Sequence, residues 1–112
     1  MEFTSTIKQN YEFRRLYSKG KSCANADLVV YCRKNRAGRS RIGYTVSNKV
    51  GHAVVRNRIR RRVYEVVRLE EPTLKSGYDM ALMVFSAEVY SLDHPSLVKL
   101  VKQLFSQAGL YK

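Results

Sequence analysis

A chain of 112 residues with 21 Lys and Arg against nine Asp and Glu carries a net charge of +12 at neutral pH. Its length supports one domain over residues 1–112, and 45% hydrophobic with 27% charged residues excludes a disordered or fibrous chain. The excess charge points to a polyanionic partner, because summed positive potential raises the local polyanion concentration and the association rate.

Residues 10–20 read as a short helix. Asn10 suits the N-cap, Phe13, Leu16 and Tyr17 form an i, i+3, i+4 stripe, and Gly20 suits the C′ position. Residues 21–25 could add a short strand. Residues 27–33 are rich in β-branched and aromatic side chains and read as a strand, with Leu28, Val30 and Cys32 on one face and Val29, Tyr31 and Arg33 on the other. A turn through Asn35, Arg36, Ala37 and Gly38 leads to a strand over 41–47, where Ile42, Tyr44 and Val46 alternate with Gly43, Thr45 and Ser47. A helix follows over 52–70. It keeps Ile59, Val63, Val66 and Val67 at i, i+4, i+7, i+8 and stops at Pro72. Residues 78–86 are apolar on both faces, which predicts a strand covered on two sides. Past the punctuation of Asp93 to Ser96, a last helix turns Leu97, Leu100, Val101, Leu104 and Phe105 inward. The order α-β-β-β-α-β-α gives an α/β (α+β) two-layer sandwich, a small mixed sheet packed by helices.

The charge is concentrated. Arg56, Arg58, Arg60, Arg61 and Arg62 fall within seven residues, and a second cluster occupies 33–41. At 100° per residue Arg56, Arg60 and Tyr64 run along one edge of the apolar stripe, with Arg58 and Arg62 on the opposite edge. Solvation alone is the plain alternative, and Glu65 could pair with Arg61 at i, i+4. Yet one carboxylate cannot neutralise five guanidiniums, and cations at a helix N-terminus oppose the macrodipole. A nucleic-acid backbone would relieve both costs. Phe13 and Tyr17 at i, i+4, with Val29 and Tyr31 on an exposed strand face, suit stacking of single-stranded bases. The same spacing also fits plain core residues.

Other chemistries find little support. The acids Asp27, Glu65, Asp79, Glu88 and Asp93 show no spacing of a metal-dependent nuclease, and neither a nucleophile motif nor a phosphate-cradling glycine loop occurs. No catalytic or metal-ligating residue is assigned. His52 and His94 each suit a helix start or a turn. Cys23 and Cys32 match no zinc or redox spacing and read as small buried hydrophobes. Residues 1–8 lack a signal-peptide core and the apolar run 80–87 is too short to span a bilayer, so a cytoplasmic protein without a membrane partner is expected.

The stretch from Arg41 through Gly43-Tyr44-Thr45-Val46-Ser47-Asn48-Lys49-Val50-Gly51-His52-Ala53-Val54-Val55 to Arg56-Asn57-Arg58-Ile59-Arg60-Arg61 resembles the signature of the bacterial ribonuclease P protein family. The flanks agree: Phe13, Tyr17 and Gly20, the strand at 27–31, and Phe105 with Ala108-Gly109-Leu110-Tyr111. The resemblance implies a non-catalytic subunit of a ribonucleoprotein endonuclease whose RNA, using Mg²⁺ not held by the protein, removes the 5′ leader of precursor tRNA. It implies an unusual left-handed crossover around the middle helix. It places a leader-binding cleft at Phe13, Tyr17, Val29 and Tyr31, extended by Arg56, Arg60 and Tyr64. Contacts to the catalytic RNA fall on Arg56, Asn57, Arg58, Arg60, Arg61, Ser47 and Lys49. Tyr64 stands where the family often has a basic residue, and Arg62 where it is usually aliphatic. The expected partners are the catalytic RNA and precursor tRNA, and not DNA, for which a paired short-turn helix motif is lacking. The rival readings are a ribosomal or chaperone-type RNA-binding protein without a processing role, and a small His-dependent ribonuclease.

Overall fold

The computed structural model describes residues 4–6, 10–36 and 38–112. In chain order these form β1 (Thr4–Thr6), α1 (Asn10–Lys19), β2 (Lys21–Ala24), β3 (Leu28–Lys34), β4 (Ser40–Val46), α2 (Ala53–Glu70), β5 (Tyr78–Val84) and α3 (His94–Gln107). The strands make one five-stranded mixed sheet in the order β1-β4-β5-β3-β2. β5 sits at the centre, antiparallel to β3 and parallel to β4, with α2 as the crossover between the parallel pair. The short piece after α1 is a true strand, paired antiparallel with β3. β1 is an addition to the expected order; it runs parallel to β4 with Thr4 opposite Ser40. The capping side chain expected of Asn10, and Ala37 of the expected turn, lie outside the described residues.

Strand alternation sorts the sheet into two faces. On one, Leu28, Val30, Cys32, Ile42, Val46, Met80, Leu82 and Val84 pack with Ile59, Val63, Val66 and Val67 of α2 and Leu97, Val101, Leu104 and Phe105 of α3. This is the expected two-layer body, and α2 inserts its aliphatic keel as its periodicity predicts. α1 lies against the other face, where Leu16 and Ala81 are buried with Phe13, Tyr17 and Tyr31 packed around them. β5 is therefore covered on both sides, as its unbroken apolar run requires.

Helix ends use local chemistry. The Asp93 carboxylate accepts from the Ser96 amide at 2.9 Å and caps α3. α2 starts after His52 with no side-chain cap. Ser47 Oγ instead accepts from the Lys49 amide and caps the single 3-10 turn Asn48–Val50 that precedes α2. At the other end of α2 the chain terminus is pinned, since Lys112 N donates to Thr73 O and Lys75 N to Leu110 O. The Tyr111 hydroxyl donates to Glu70 at 2.7 Å.

Gly20 does not take the left-handed conformation expected after a helix; the positive-φ glycines are Gly38, Gly77 and Gly109. Its role is close approach. A Cβ there would stand 2.8 Å from Leu16 O and 2.9 Å from Cys32 O, both backbone atoms. The missing side chain lets the end of α1 lie directly on β3.

Candidate nucleic-acid interface

Beneath α1 the sheet offers an aromatic groove. Phe13 and Tyr17, one helical turn apart, have ring centroids 6.2 Å from each other, and Tyr17 meets Tyr31 of β3 edge-on at 4.8 Å. Val29 shares that strand face and is buried. Phe13, Tyr17 and Tyr31 each stay partly exposed, so the structure brings together the four residues expected of the cleft and leaves the rings reachable. Arg14 and Thr45 complete a hollow of about 330 Å³ with Phe13 and Tyr17. The Thr45 hydroxyl is buried and finds no hydrogen-bond partner among the described residues. A polar atom left in that condition is costly unless a ligand or water satisfies it. Neither Thr45 nor Arg14 was singled out from the sequence. The alternation of β4 does place Thr45 beside Gly43 on this face, so the signal was present.

The seat of α1 is electrostatic. Arg41 of β4 donates from Nε and Nη2 to both Asp79 oxygens, at 3.0 and 2.8 Å, and from Nη1 to Glu12 of α1. Asn35 donates to Asp79 at 2.9 Å. In register, Asp79 of β5 stands between Arg33 and Arg41. Burial pushes the Asp79 carboxyl up, but hydrogen bonds from Arg41 and Asn35 outweigh it and hold the group below its ordinary range. The Asp79 hydrogen bond, reinforced by Glu12, raises the Arg41 pKa further against the opposing effect of burial. Among the described residues Arg41 is thus the one member of the second basic cluster engaged internally by two carboxylates. Arg33, Lys34, Arg36 and Arg39 remain exposed around it.

On α2 the arginines split to the two shoulders anticipated from their angles. Arg58 Nη1 donates to the Tyr90 hydroxyl at 3.1 Å, with its guanidinium 6.0 Å from that ring's centroid. Arg62 donates to the carbonyls of Val89 and Leu92 at 3.1 and 2.6 Å. Position 62 is therefore a clamp on the segment after β5, which gives it the role the sequence left open. On the other shoulder Arg56 folds back onto Gly51 O at 2.6 Å and Arg60 onto Asn57 Oδ1 at 2.8 Å. Arg61 is exposed. Glu65 pairs with Arg68 at 2.9 Å rather than with Arg61, in the order, acid N-terminal to cation, that a helix favours. Among the described residues, no carboxylate stands within 4.0 Å of any of the five front guanidiniums. Arg62 directs its donors to backbone carbonyls, and the charge of the other four has no carboxylate counterpart among the described residues. Lys49, exposed in the turn that Ser47 caps, adds to the same end.

The extended cleft is divided. Tyr64 packs edge-on against Tyr44 at 5.6 Å, with planes 75° apart. Tyr44 alternates with Thr45, so this pair lies on the opposite side of β4 from the groove. Asn57, Arg60 and Arg61 line a second hollow with the two tyrosines. Neither Arg56, Arg60 nor Tyr64 lines the hollow under α1, because α2 packs on the other sheet face. Burial, with the negative charge of Glu71, pushes the Tyr44 phenol up and keeps it neutral.

His52 and His94 stand exposed at the starts of α2 and α3. Cys32 is buried and Cys23 partly so, both as free thiols. Among the described residues no group of three His, Cys, Asp or Glu side chains could hold a metal ion, and no helix is long and apolar enough to cross a membrane.

A small basic α+β domain with an aromatic groove on one sheet face and an arginine-rich crossover helix on the other defines an RNA-binding protein. The ribonuclease P family model matches residues 1–109. A ribonuclease P protein component from Clostridium kluyveri is 43% identical over 108 residues, covering 95% of this chain and 96% of its own. One from Thermoanaerobacter sp. (strain X514) is 40% identical over 105 residues, covering 94% and 90%. The solved Staphylococcus aureus RNase P protein superimposes with a TM-score of 0.85 at 28% identity, covering 96% of this chain and 97% of that one. The chain belongs to the ribonuclease P protein family, and with it to a ribonucleoprotein endoribonuclease whose other partner is the ribonuclease P RNA.

Proposed function

We propose that this chain holds the single-stranded 5′ leader of precursor tRNA in the groove beneath α1 and grips the catalytic RNA through α2. The RNA hydrolyses the phosphodiester that frees the leader and leaves the mature tRNA 5′ end. The observation that carries the reading is that one small domain presents three partly exposed rings, Phe13, Tyr17 and Tyr31, on one sheet face and, on the other, helix arginines without a carboxylate partner among the described residues. Rings stack unpaired bases and guanidiniums neutralise phosphates, and together these are the two requirements of single-strand binding.

Arg56, Arg58, Arg60 and Arg61, with Lys49, screen phosphates that would otherwise repel one another as leader and catalytic RNA approach. Arg33, Lys34, Arg36 and Arg39 extend that screen around the seat of α1. Asn57 orients Arg60. Mg²⁺ belongs to the RNA in this reading. The protein's acids do not fit an ion site: Asp79 and Glu12 are committed to Arg41, and no cluster of three donors exists among the described residues. The protein lowers the Mg²⁺ the assembly requires, because its arginines supply countercharge that the RNA would otherwise recruit as metal ions. The setting is the cytoplasm, where precursor tRNA is processed.

Reconstitution tests the proposal. The chain added to ribonuclease P RNA at low Mg²⁺ should restore cleavage of leader-bearing precursor tRNA at the mature 5′ end. It should lower KM more for that substrate than for one without a leader. Cleavage by the RNA-free chain, abolished by His52→Ala or His94→Ala, would overturn it, as would equal effects on both substrates.

A further inference from the structure

The hollow on the far side of β4 lies on the opposite sheet face from the aromatic groove. Its walls are Tyr44, Tyr64, Asn57, Arg60 and Arg61, and its volume of about 330 Å³ matches that of the groove under α1. Tyr64 is 42% exposed, and Tyr44 fixes its ring by edge-to-face contact at 5.6 Å. A ring held in one orientation loses little freedom when a base stacks on it. Asn57 supplies an amide, and Arg60 and Arg61 supply guanidiniums with no carboxylate partner among the described residues. Stacking surface, hydrogen-bonding group and cations converge at one point. That is the chemistry that recognises a splayed, unpaired nucleotide of RNA rather than a duplex, whose bases are stacked away from side chains.

Resting on the RNA-binding reading above, we propose that this hollow takes one unpaired nucleotide of the catalytic RNA. The base stacks on the Tyr44–Tyr64 pair and the flanking phosphates lie against Arg60 and Arg61. The leader is not the occupant, because strand alternation puts Tyr44 on the opposite face from Thr45, Phe13 and Tyr17. A strand lying along the groove does not reach it. The hollow instead continues the shoulder of α2 that carries Arg56 and Arg61.

The test uses the reconstituted holoenzyme with Tyr64→Ala and Tyr64→Phe. Removing one stacked base is worth about 1–3 kcal/mol, or roughly a 5- to 150-fold weaker affinity of the protein for ribonuclease P RNA at fixed salt. Tyr64→Ala should show that loss, and one unpaired nucleotide of the RNA should lose its protection in a chemical footprint. Tyr64→Phe keeps the ring and should retain both. The ratio of KM between leader-bearing and leaderless substrates should stay unchanged in each variant. Unchanged RNA affinity and footprint in Tyr64→Ala would overturn the site while leaving the family function standing. A loss seen only with leader-bearing substrate would overturn it in favour of the leader. Failure of the unmutated chain to bind the RNA would instead bring down the underlying reading.

Discussion

Arg41 forks onto Asp79 with both nitrogens of one guanidinium edge, and its remaining terminal nitrogen holds Glu12 of α1. The pair spans two neighbouring parallel strands, and through Glu12 it fixes how far the helix stands from the sheet. The helix that roofs the aromatic groove is thus tied to the sheet by an ion pair outside the groove. Replacing Asp79 with Asn removes one half of a partly buried charge pair and should cost about 1–3 kcal/mol of stability, measured by urea unfolding. Glu12→Gln should cost less and should raise KM for leader-bearing substrate, since α1 loses its tether while the strands keep theirs.

The same carboxyl sets a pH dependence. Its folded pKa lies below the ordinary value of 3.8, so it binds fewer protons folded than unfolded at mildly acidic pH. Its stabilisation is complete above the unfolded value and is lost as pH falls from there through the lower folded value. The gap in thermal midpoint between the native chain and Asp79→Asn should be constant from pH 7 to about 5 and close below about pH 4. A gap that widened on acidification would show that Asp79 is not held in its charged form.

Gly20 makes a sharper steric prediction. With the backbone oxygens of Leu16 and Cys32 within 2.9 Å of a would-be Cβ, neither neighbour can swing aside as a side chain could. Gly20→Ala should destabilise by about 1–3 kcal/mol although the position does not have the positive φ that ordinarily reserves a helix end for glycine. It should also lift α1 from β3 and weaken leader binding, measured as KM on leader-bearing against leaderless substrate.

Within the groove, Tyr31 separates stacking from packing. Its ring meets Tyr17 at 4.8 Å and stays partly exposed. Tyr31→Ala should weaken leader binding by about 1–3 kcal/mol while leaving cleavage of a leaderless substrate unchanged. Equal loss on both substrates would mark the ring as core alone.

Much of this architecture is legible before any coordinates. The 3.6-residue stripes of α2 and α3, and the period-2 alternation of β4, come from burial of one face, a local pattern that side-chain order records directly. What escapes is non-local. Glu12, Arg41 and Asp79 lie 29 and 38 residues apart, and their mutual neutralisation is invisible to a count that assigns Arg41 to a basic loop. β1 is a Thr-Ser-Thr segment with no apolar alternation, paired in parallel with β4. The family resemblance extends the groove to Tyr64. It takes coordinates to see that α2 packs on the other sheet face, where Tyr64 meets Tyr44. Helical angles name the shoulder an arginine occupies and not whether that shoulder meets solvent or the chain's own carbonyls.

Arg61 and Arg62 are adjacent in sequence and should fail in opposite ways. Arg61 is exposed without a carboxylate partner among the described residues, so its guanidinium is available to phosphate. Arg61→Ala should leave the thermal midpoint nearly unchanged and flatten the plot of log affinity for RNA against log salt by about 0.7 to 0.9. Arg62 spends its donors on the carbonyls of Val89 and Leu92, at 3.1 and 2.6 Å, and so anchors the turn leading into α3. Arg62→Ala leaves those carbonyls to find water in a half-buried site and should cost about 1–3 kcal/mol of folding stability. Its salt slope should match that of the unmutated chain once both are folded. Two arginines with equal charge would then be told apart by which measurement moves. An Arg62→Ala protein of full stability with a flattened slope would place its guanidinium on RNA instead of on the backbone.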